Sequence, residues 1–127
     1  MIIVSYNIGG GLIRKFPEIL DLVGQKNPDI LSLSEAEVHE PPKLNGYYAY
    51  TEVTSNSKKR LLVYVKESLK AVRQDHVVCP DGDIPFVCLK LSTITIVALY
   101  NQHTQYAYTR YRKRLSKADM TLKDKFN

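Results

Sequence analysis

Two apolar segments of the chain each stop at a side chain whose oxygen can hold a hard cation. Asn7 closes the β-branched segment at residues 2–7, and Glu35 follows the apolar run at residues 29–34. Neighbouring parallel strands bring such residues to one edge of a sheet, where carboxylate and amide oxygens commonly bind Mg²⁺. Each residue has an alternative interpretation that involves no metal. In it, Asn7 simply ends its strand in a turn, and Glu35 is a solvated glutamate at a strand end.

The elements around these two residues predict a strand, a helix and a second strand. Residues 2–8 are rich in β-branched side chains and predict a strand buried on both faces. A glycine loop follows, and then a helix over residues 12–24 with Pro17 in its first turn. A second strand at residues 29–34 completes a βαβ unit with parallel strands.

The rest of the body predicts a sheet. The fold class is therefore α/β, of the α+β sandwich type, with a mixed sheet of about six or seven strands and one main helix. One helix covers one face of a sheet, so we expect an exposed apolar face that a partner copy or chain covers. The further strands are predicted at residues 47–53, 61–65, 71–78, 86–91 and 93–100, the last two as a hairpin.

The positive charge is concentrated in the last 25 residues. Residues 103–127 hold seven Lys or Arg and two Asp, which accounts for the whole formal net charge of +5. We therefore divide the chain into a body, residues 1–102, and a basic, helical tail, residues 103–127. A basic tail indicates contact with a polyanion, and a solvated helix is the alternative. The candidate nucleic-acid-binding residues are Arg110, Arg112, Lys113, Arg114 and Lys117.

Composition excludes some classes of protein. No apolar run approaches the ~18 residues that a membrane-spanning helix needs, and residues 1–4 have no basic lead-in typical of a signal peptide. We expect an intracellular protein, in cytoplasm or nucleus, with no membrane partner. Cys79 and Cys88 have no spacing typical of a metal site.

Three motifs in order resemble a known superfamily. Ser5-Tyr6-Asn7-Ile8-Gly9-Gly10, the run from Pro28 to Glu35 and the strand ending at Tyr100-Asn101 together resemble the N-terminal half of the endonuclease/exonuclease/phosphatase superfamily. The resemblance covers residues 2–101. Within the superfamily, the sequence looks most like the endonuclease domains of non-LTR retrotransposons. The resemblance implies half of a four-layer nuclease sandwich and a Mg²⁺-dependent endonuclease that cleaves phosphodiester bonds, in DNA rather than RNA.

The resemblance also implies a role for each of three residues. Glu35 resembles the glutamate that holds Mg²⁺ against the scissile phosphate, and Asn7 resembles the asparagine beside the metal. Tyr100 resembles a tyrosine whose hydroxyl touches the phosphate, although an ordinary aromatic residue of a sheet is the alternative. Asn7, Glu35 and Tyr100 are thus the candidate catalytic residues, and Glu35 and Asn7 the candidate metal ligands.

The sequence departs from the family pattern in several places. Gly9 stands where some members carry Asp, and Lys59-Arg60 stands where glycine is frequent. The sequence has no Asp-x-Asn motif like that of the family's second half, and its one Asp-His pair, Asp75-His76, lies in a predicted strand well before the family's position, so we expect a domain that is incomplete or inactive alone. A completing chain or second copy is one expectation, and a non-catalytic retroelement remnant that binds nucleic acid or protein is the alternative. Lipid and inositol phosphatases share the Asn and Glu positions.

Overall fold

The computed structural model describes residues 1–52, 58–74 and 85–100, and in these ranges it has seven strands and one α-helix. The predicted tail at residues 103–127, with its five candidate basic residues, lies outside the described residues. The elements are β1 (Ile3–Asn7), α1 (Leu12–Lys26), β2 (Ile30–Val38), β3 (Tyr47–Thr51), β4 (Lys59–Lys66), a short 3-10 turn (Glu67–Leu69), β5 (Val72–Arg73), β6 (Phe86–Lys90) and β7 (Thr95–Leu99).

The strands form two sheets. The first sheet has the order β1-β2-β4-β3 and the second has the order β5-β6-β7. β1 and β2 are parallel, as the predicted βαβ unit requires, and the other pairs are antiparallel. The mixed α/β class, the number of strands and the main helix are confirmed. The strands are divided between two sheets, whereas the sequence predicted one mixed sheet.

Helix α1 covers the outer face of the first sheet. Its apolar residues recur at helical spacing, and Leu12 and Ile19 are both 1% exposed. The sheet contributes the side chains of alternate residues of β2 and β4, because successive residues of a strand point to opposite faces. The resulting outer core contains Leu12, Ile19, Leu31, Leu33, Ala36, Val38, Leu62 and Tyr64, together with Ile8 and Leu44.

Helix α1 begins at Leu12, as predicted, and differs from the prediction at Pro17 and at its C-terminal end. Pro17 is the sixth residue of the helix and does not lie in the first turn. Burial of Leu12 in the outer core holds the first turn in place, although proline removes one hydrogen bond from the helix interior. The helix passes Gly24 and ends at Lys26, and the capping residue Asn27 adopts a left-handed φ of 44° and donates its N–H to the Val23 carbonyl.

The second sheet covers the inner face of the first. All five residues from Leu61 to Val65 are buried, because β4 has one apolar face against the helix layer and the other against the second sheet. This second layer explains why Val63 and Val65 are buried although one helix could not cover them. The inner core contains Ile30, Leu61, Val63, Val65, Val87, Leu89 and Leu91.

Exposed apolar side chains lie on the edge strands. β1 is an edge of the first sheet, and Ile3 is 55% exposed, so the prediction that this strand is buried on both faces is wrong. β7 is an edge of the second sheet, where Val97 and Leu99 are exposed. In the part of the chain that the structure describes, no helix has the length and apolar character needed to cross a membrane.

We expect Leu33→Ala to lower the free energy of unfolding by about 3 kcal/mol, because it opens a cavity in the outer core. Leu20→Ala is the matched control, because Leu20 lies on α1, which packs on the same core, but its side chain is 49% exposed. Urea denaturation followed by circular dichroism measures both variants. Equal losses in the two variants would contradict the assignment of the outer core.

Candidate active site

A β-bulge places Glu35 inside β2. Ser34 pairs with Leu61 and Val38 pairs with Lys59, so three residues of β2 lie opposite the single residue Arg60 of β4. The sequence predicted that the strand stops at Ser34, and the structure corrects this, because β2 continues to Val38. Bulges of this kind redirect side chains and are frequent beside active sites.

The bulge changes the face on which Glu35 lies. Leu33 and Ala36 both belong to the outer core, although strict alternation would put Glu35 there with Leu33. The three-residue step lets Glu35 turn toward the second sheet. The bulge requires left-handed φ angles of 54° at Glu35 and 53° at Glu37. This conformation costs a non-glycine residue about 1–2 kcal/mol. Such outliers concentrate at functional sites.

Glu35 and Tyr100 meet across the two sheets. The Tyr100 hydroxyl donates a hydrogen bond to Glu35 Oε1 at 3.0 Å, across 65 residues of sequence. Tyr100 follows β7, and its N–H donates to the Pro85 carbonyl at 3.0 Å. Burial raises the pKa of the Tyr100 hydroxyl above its ordinary value, and the hydrogen bond to Glu35 and its negative charge raise it further. Two of the three predicted catalytic residues are therefore in contact.

Asn7 lies at the same end of the neighbouring strand. It is aligned with Ser34, the residue before Glu35. Its Oδ1 accepts a hydrogen bond from the Gly9 N–H at 2.9 Å, which is the turn considered as the alternative in the sequence. The Gly10 N–H donates to the Glu35 carbonyl at 2.7 Å, and this bond ties the glycine loop to the bulge.

A second carboxylate, which sequence reasoning missed, lies over the glycine loop. Gly10 has a φ of +84°, and a Cβ atom built on it would lie 3.0 Å from Glu37 Oε2. The loop can approach this carboxylate so closely because Gly10 has no side chain. Alternation along the strand could not have placed Glu37 here, because the positive φ angles of Glu35 and Glu37 interrupt it.

The roles of Arg60 and Glu52 were also missed, since the sequence marked Arg60 only as a departure from the family pattern and no motif points to Glu52. The guanidinium carbon of Arg60 lies 5.6 Å from the centroid of the Tyr100 ring, within the range of a cation–π contact. Arg60 Nη2 lies 4.0 Å from Glu52 Oε2, and the Glu52 side chain is 3% exposed. Glu52 also accepts the backbone N–H groups of Arg60 and Leu61.

The oxygen ligands near Glu35 suit a cation whose remaining ligands come from water and a phosphate substrate. Over residues 1–52, 58–74 and 85–100, no group of three or more His, Cys, Asp or Glu side chains converges to enclose a metal. Mg²⁺ is usually held by one or two carboxylates and completes its shell with water and phosphate oxygens. Glu35, with Asn7 or Glu37 near it, offers this kind of open site.

Comparison with known proteins agrees with the resemblance found in the sequence. The family model described as "Endonuclease/Exonuclease/phosphatase family" matches residues 4–123, a range that continues past residue 102 into the predicted tail. No curated protein matches the chain. The fold also matches solved structures, at identities of 13–18% that bear on the fold alone.

The 3′ phosphatase NExo from Neisseria, bound to product DNA hairpin, is 18% identical with a TM-score of 0.59, over 87% of this chain and 48% of that one. The endonuclease domain of TRAS1, a telomere-specific non-LTR retrotransposon, is 14% identical with a TM-score of 0.61, over 89% and 52%. An AP endonuclease from Archaeoglobus fulgidus is 16% identical with a TM-score of 0.57, over 92% and 52%. This chain thus spans about half the length of the structures it matches.

We expect the Tyr100 hydroxyl to titrate above the ordinary tyrosine pKa and Glu35→Gln to lower its pKa, because the substitution removes a negative charge that disfavours the phenolate. NMR of tyrosine labelled with ¹³C at Cζ measures both values, with Tyr100→Phe to assign the signal. Tyr6, an exposed residue, is the internal control. An unchanged Tyr100 pKa in Glu35→Gln would contradict the hydrogen bond.

Proposed function

This chain belongs to the Endonuclease/Exonuclease/phosphatase family, and on that premise we propose that its candidate active site binds Mg²⁺ and cleaves phosphodiester bonds in DNA. The observation that carries the proposal is the hydrogen bond between Tyr100 and Glu35, which joins the two sheets beside the end of β1. It brings two separate family motifs to one place in the fold.

Each of the three residues has a chemical task in this proposal. Glu35 holds the cation, and Mg²⁺ when bound neutralises the negative charge of the phosphoryl oxygens. When substrate is bound, the Tyr100 hydroxyl would turn its one proton from Glu35 to the phosphate. The hydroxyl is protonated at neutral pH, because the ordinary tyrosine pKa already lies at about 10 and burial raises the pKa of Tyr100 further. The amide of Asn7 orients the phosphate without adding negative charge beside an anionic substrate.

A DNA substrate is favoured over RNA by the relatives with the same fold. One of them was solved bound to a product DNA hairpin, and another is the endonuclease domain of a telomere-specific retrotransposon. The basic residues of the tail, from Arg110 to Lys117, add charge that attracts a phosphate backbone whatever its sequence.

We further propose that a second copy of the chain or another chain completes the site. The chain spans about half the length of its structural relatives, and the exposed apolar residues Ile3, Val97 and Leu99 lie on edge strands. Edge strands with apolar side chains are suited to pairing or packing with further protein. The completing chain supplies the group that orients the attacking water.

The cleavage proposal predicts nicking of supercoiled plasmid that requires Mg²⁺ and stops when EDTA is added. Glu35→Ala is expected to lower the rate by about 100-fold or more, because it removes the charge that holds the cation. If a second copy completes the site, the rate per chain rises with protein concentration. Gel electrophoresis of the plasmid forms measures these rates.

Glu18→Ala is the matched control, since Glu18 is an exposed carboxylate of α1 and should leave the rate unchanged. Nicking that persists at the full rate in Glu35→Ala would exclude this site as its source. A chain that cleaves nothing across the concentration series, but binds DNA, would favour the alternative of a non-catalytic binding module.

The tail predicts that DNA affinity falls as salt rises. Five neutralised phosphates correspond to a slope of log affinity against log salt of about −4 to −5. Replacing Arg110, Arg112, Lys113, Arg114 and Lys117 by glutamine should weaken binding and flatten the slope. Fluorescence anisotropy at several salt concentrations measures both effects, and Lys26→Gln is the control for a single lost charge. An unaltered slope would refute a role for these residues.

A further inference from the structure

Arg60 lies opposite the bulge that carries Glu35. It is the single residue of β4 between Lys59 and Leu61, and three residues of β2 face it. The backbone register therefore fixes Arg60 beside the part of the site that departs from regular sheet geometry. Its side chain is 34% exposed, so it lies at the boundary between the protein interior and the solvent.

The guanidinium of Arg60 is held from one side by a buried carboxylate. Glu52 is the one charged residue that is buried within the described parts of the chain. Its Oε1 accepts the N–H groups of Arg60 and Leu61, and its Oε2 lies 4.0 Å from Arg60 Nη2. A buried carboxylate needs such partners, because leaving one unpaired is strongly destabilising. The same pairing restricts where the guanidinium can lie.

On its other side, the guanidinium meets the ring of Tyr100. The distance of 5.6 Å from the guanidinium carbon to the ring centroid is that of a cation–π contact. The planar guanidinium suits both contacts, because it can direct N–H groups to a carboxylate while its charge faces an aromatic ring. A lysine at this position could supply the charge but not the planar group.

We propose that Arg60 is a positioning residue, which transmits the fixed location of Glu52 to the Tyr100 ring and so holds the Tyr100 hydroxyl on Glu35. The chain of contacts runs from Glu52 to Arg60, then to Tyr100 and finally to Glu35. The importance of this arrangement for cleavage rests on the proposed function, whereas the arrangement itself is testable without DNA or metal.

The hydrogen bond between Tyr100 and Glu35 allows a direct readout at one fixed, neutral pH. The ¹³Cζ chemical shift of Tyr100 reports the surroundings of its hydroxyl. If Arg60 holds the hydroxyl on Glu35, replacing Arg60 weakens the influence of Glu35 on Tyr100. The measured quantity is therefore the change in the Tyr100 ¹³Cζ chemical shift that Glu35→Ala causes, compared with and without Arg60.

The experiment measures the Tyr100 ¹³Cζ chemical shift at neutral pH in the wild-type chain, Glu35→Ala, Arg60→Lys and the double variant. We expect the change caused by Glu35→Ala, which removes the hydrogen-bond acceptor, to fall to less than half in the Arg60→Lys background, which keeps the positive charge. Arg60→Gln is the second variant, and the same reduction is expected there. Lys26→Gln, at the C-terminal end of α1, is the control for a lost charge and should leave the shift unchanged.

An equal change in both backgrounds would overturn the positioning role. The dispersion of the amide spectrum identifies a variant that fails to fold, and the other Arg60 variant then decides. Because the NMR measurement on Tyr100 does not involve cleavage, failure of the nicking assay would count against the proposed function alone. An equal effect of the Glu35 substitution in both backgrounds would count against the role of Arg60 alone.

Discussion

The β-bulge in β2 is the constraint on which the candidate site depends. Without it, Glu35 would point with Leu33 into the apolar layer beneath α1, where a charged carboxylate is costly to bury. The bulge sends Glu35 to the other side at the cost of left-handed backbone at Glu35 and Glu37. The hydrogen bond from the Gly10 N–H to the Glu35 carbonyl and the adjacent apolar core hold this conformation in place.

The two cores bring the parts of the site together from distant segments of the chain. The outer core fixes β2 beneath α1, and the inner core fixes the second sheet against β2 and β4. Tyr100 follows the last strand of that second sheet, so its hydroxyl reaches Glu35 because the two sheets pack face to face. Packing of apolar side chains thus determines the geometry of a polar site, and interiors packed this closely transmit small displacements.

Local patterns of sequence predicted the parts of this arrangement that depend on neighbouring residues. The parallel pair β1 and β2 and the helix between them followed from short motifs, and the motifs also singled out Glu35 and Tyr100, which the structure brings into contact. The bulge was not predictable, because Ser34-Glu35-Ala36-Glu37 contains no glycine or proline that would mark it. The exposure of β1, the division into two sheets and the contacts of Glu52 depend on residues far apart in sequence, which periodicity does not encode.

The charges of the site bear on the proposed cation and on the basic residues that follow later in the sequence. Arg60 is paired with the buried Glu52, so it offsets little of the charge of Glu35 and Glu37. Lys15 donates to the Ile8 carbonyl at 2.6 Å and brings one positive charge to the loop beside them. The carboxylates of Glu35 and Glu37 repel a phosphodiester, and in the proposed function a divalent cation would offset that repulsion. The basic residues of the segment 103–127 can attract the same polyanion. The proposed chemistry uses the carboxylates of the site, whereas attraction of the substrate uses positive charges in a different segment of the sequence.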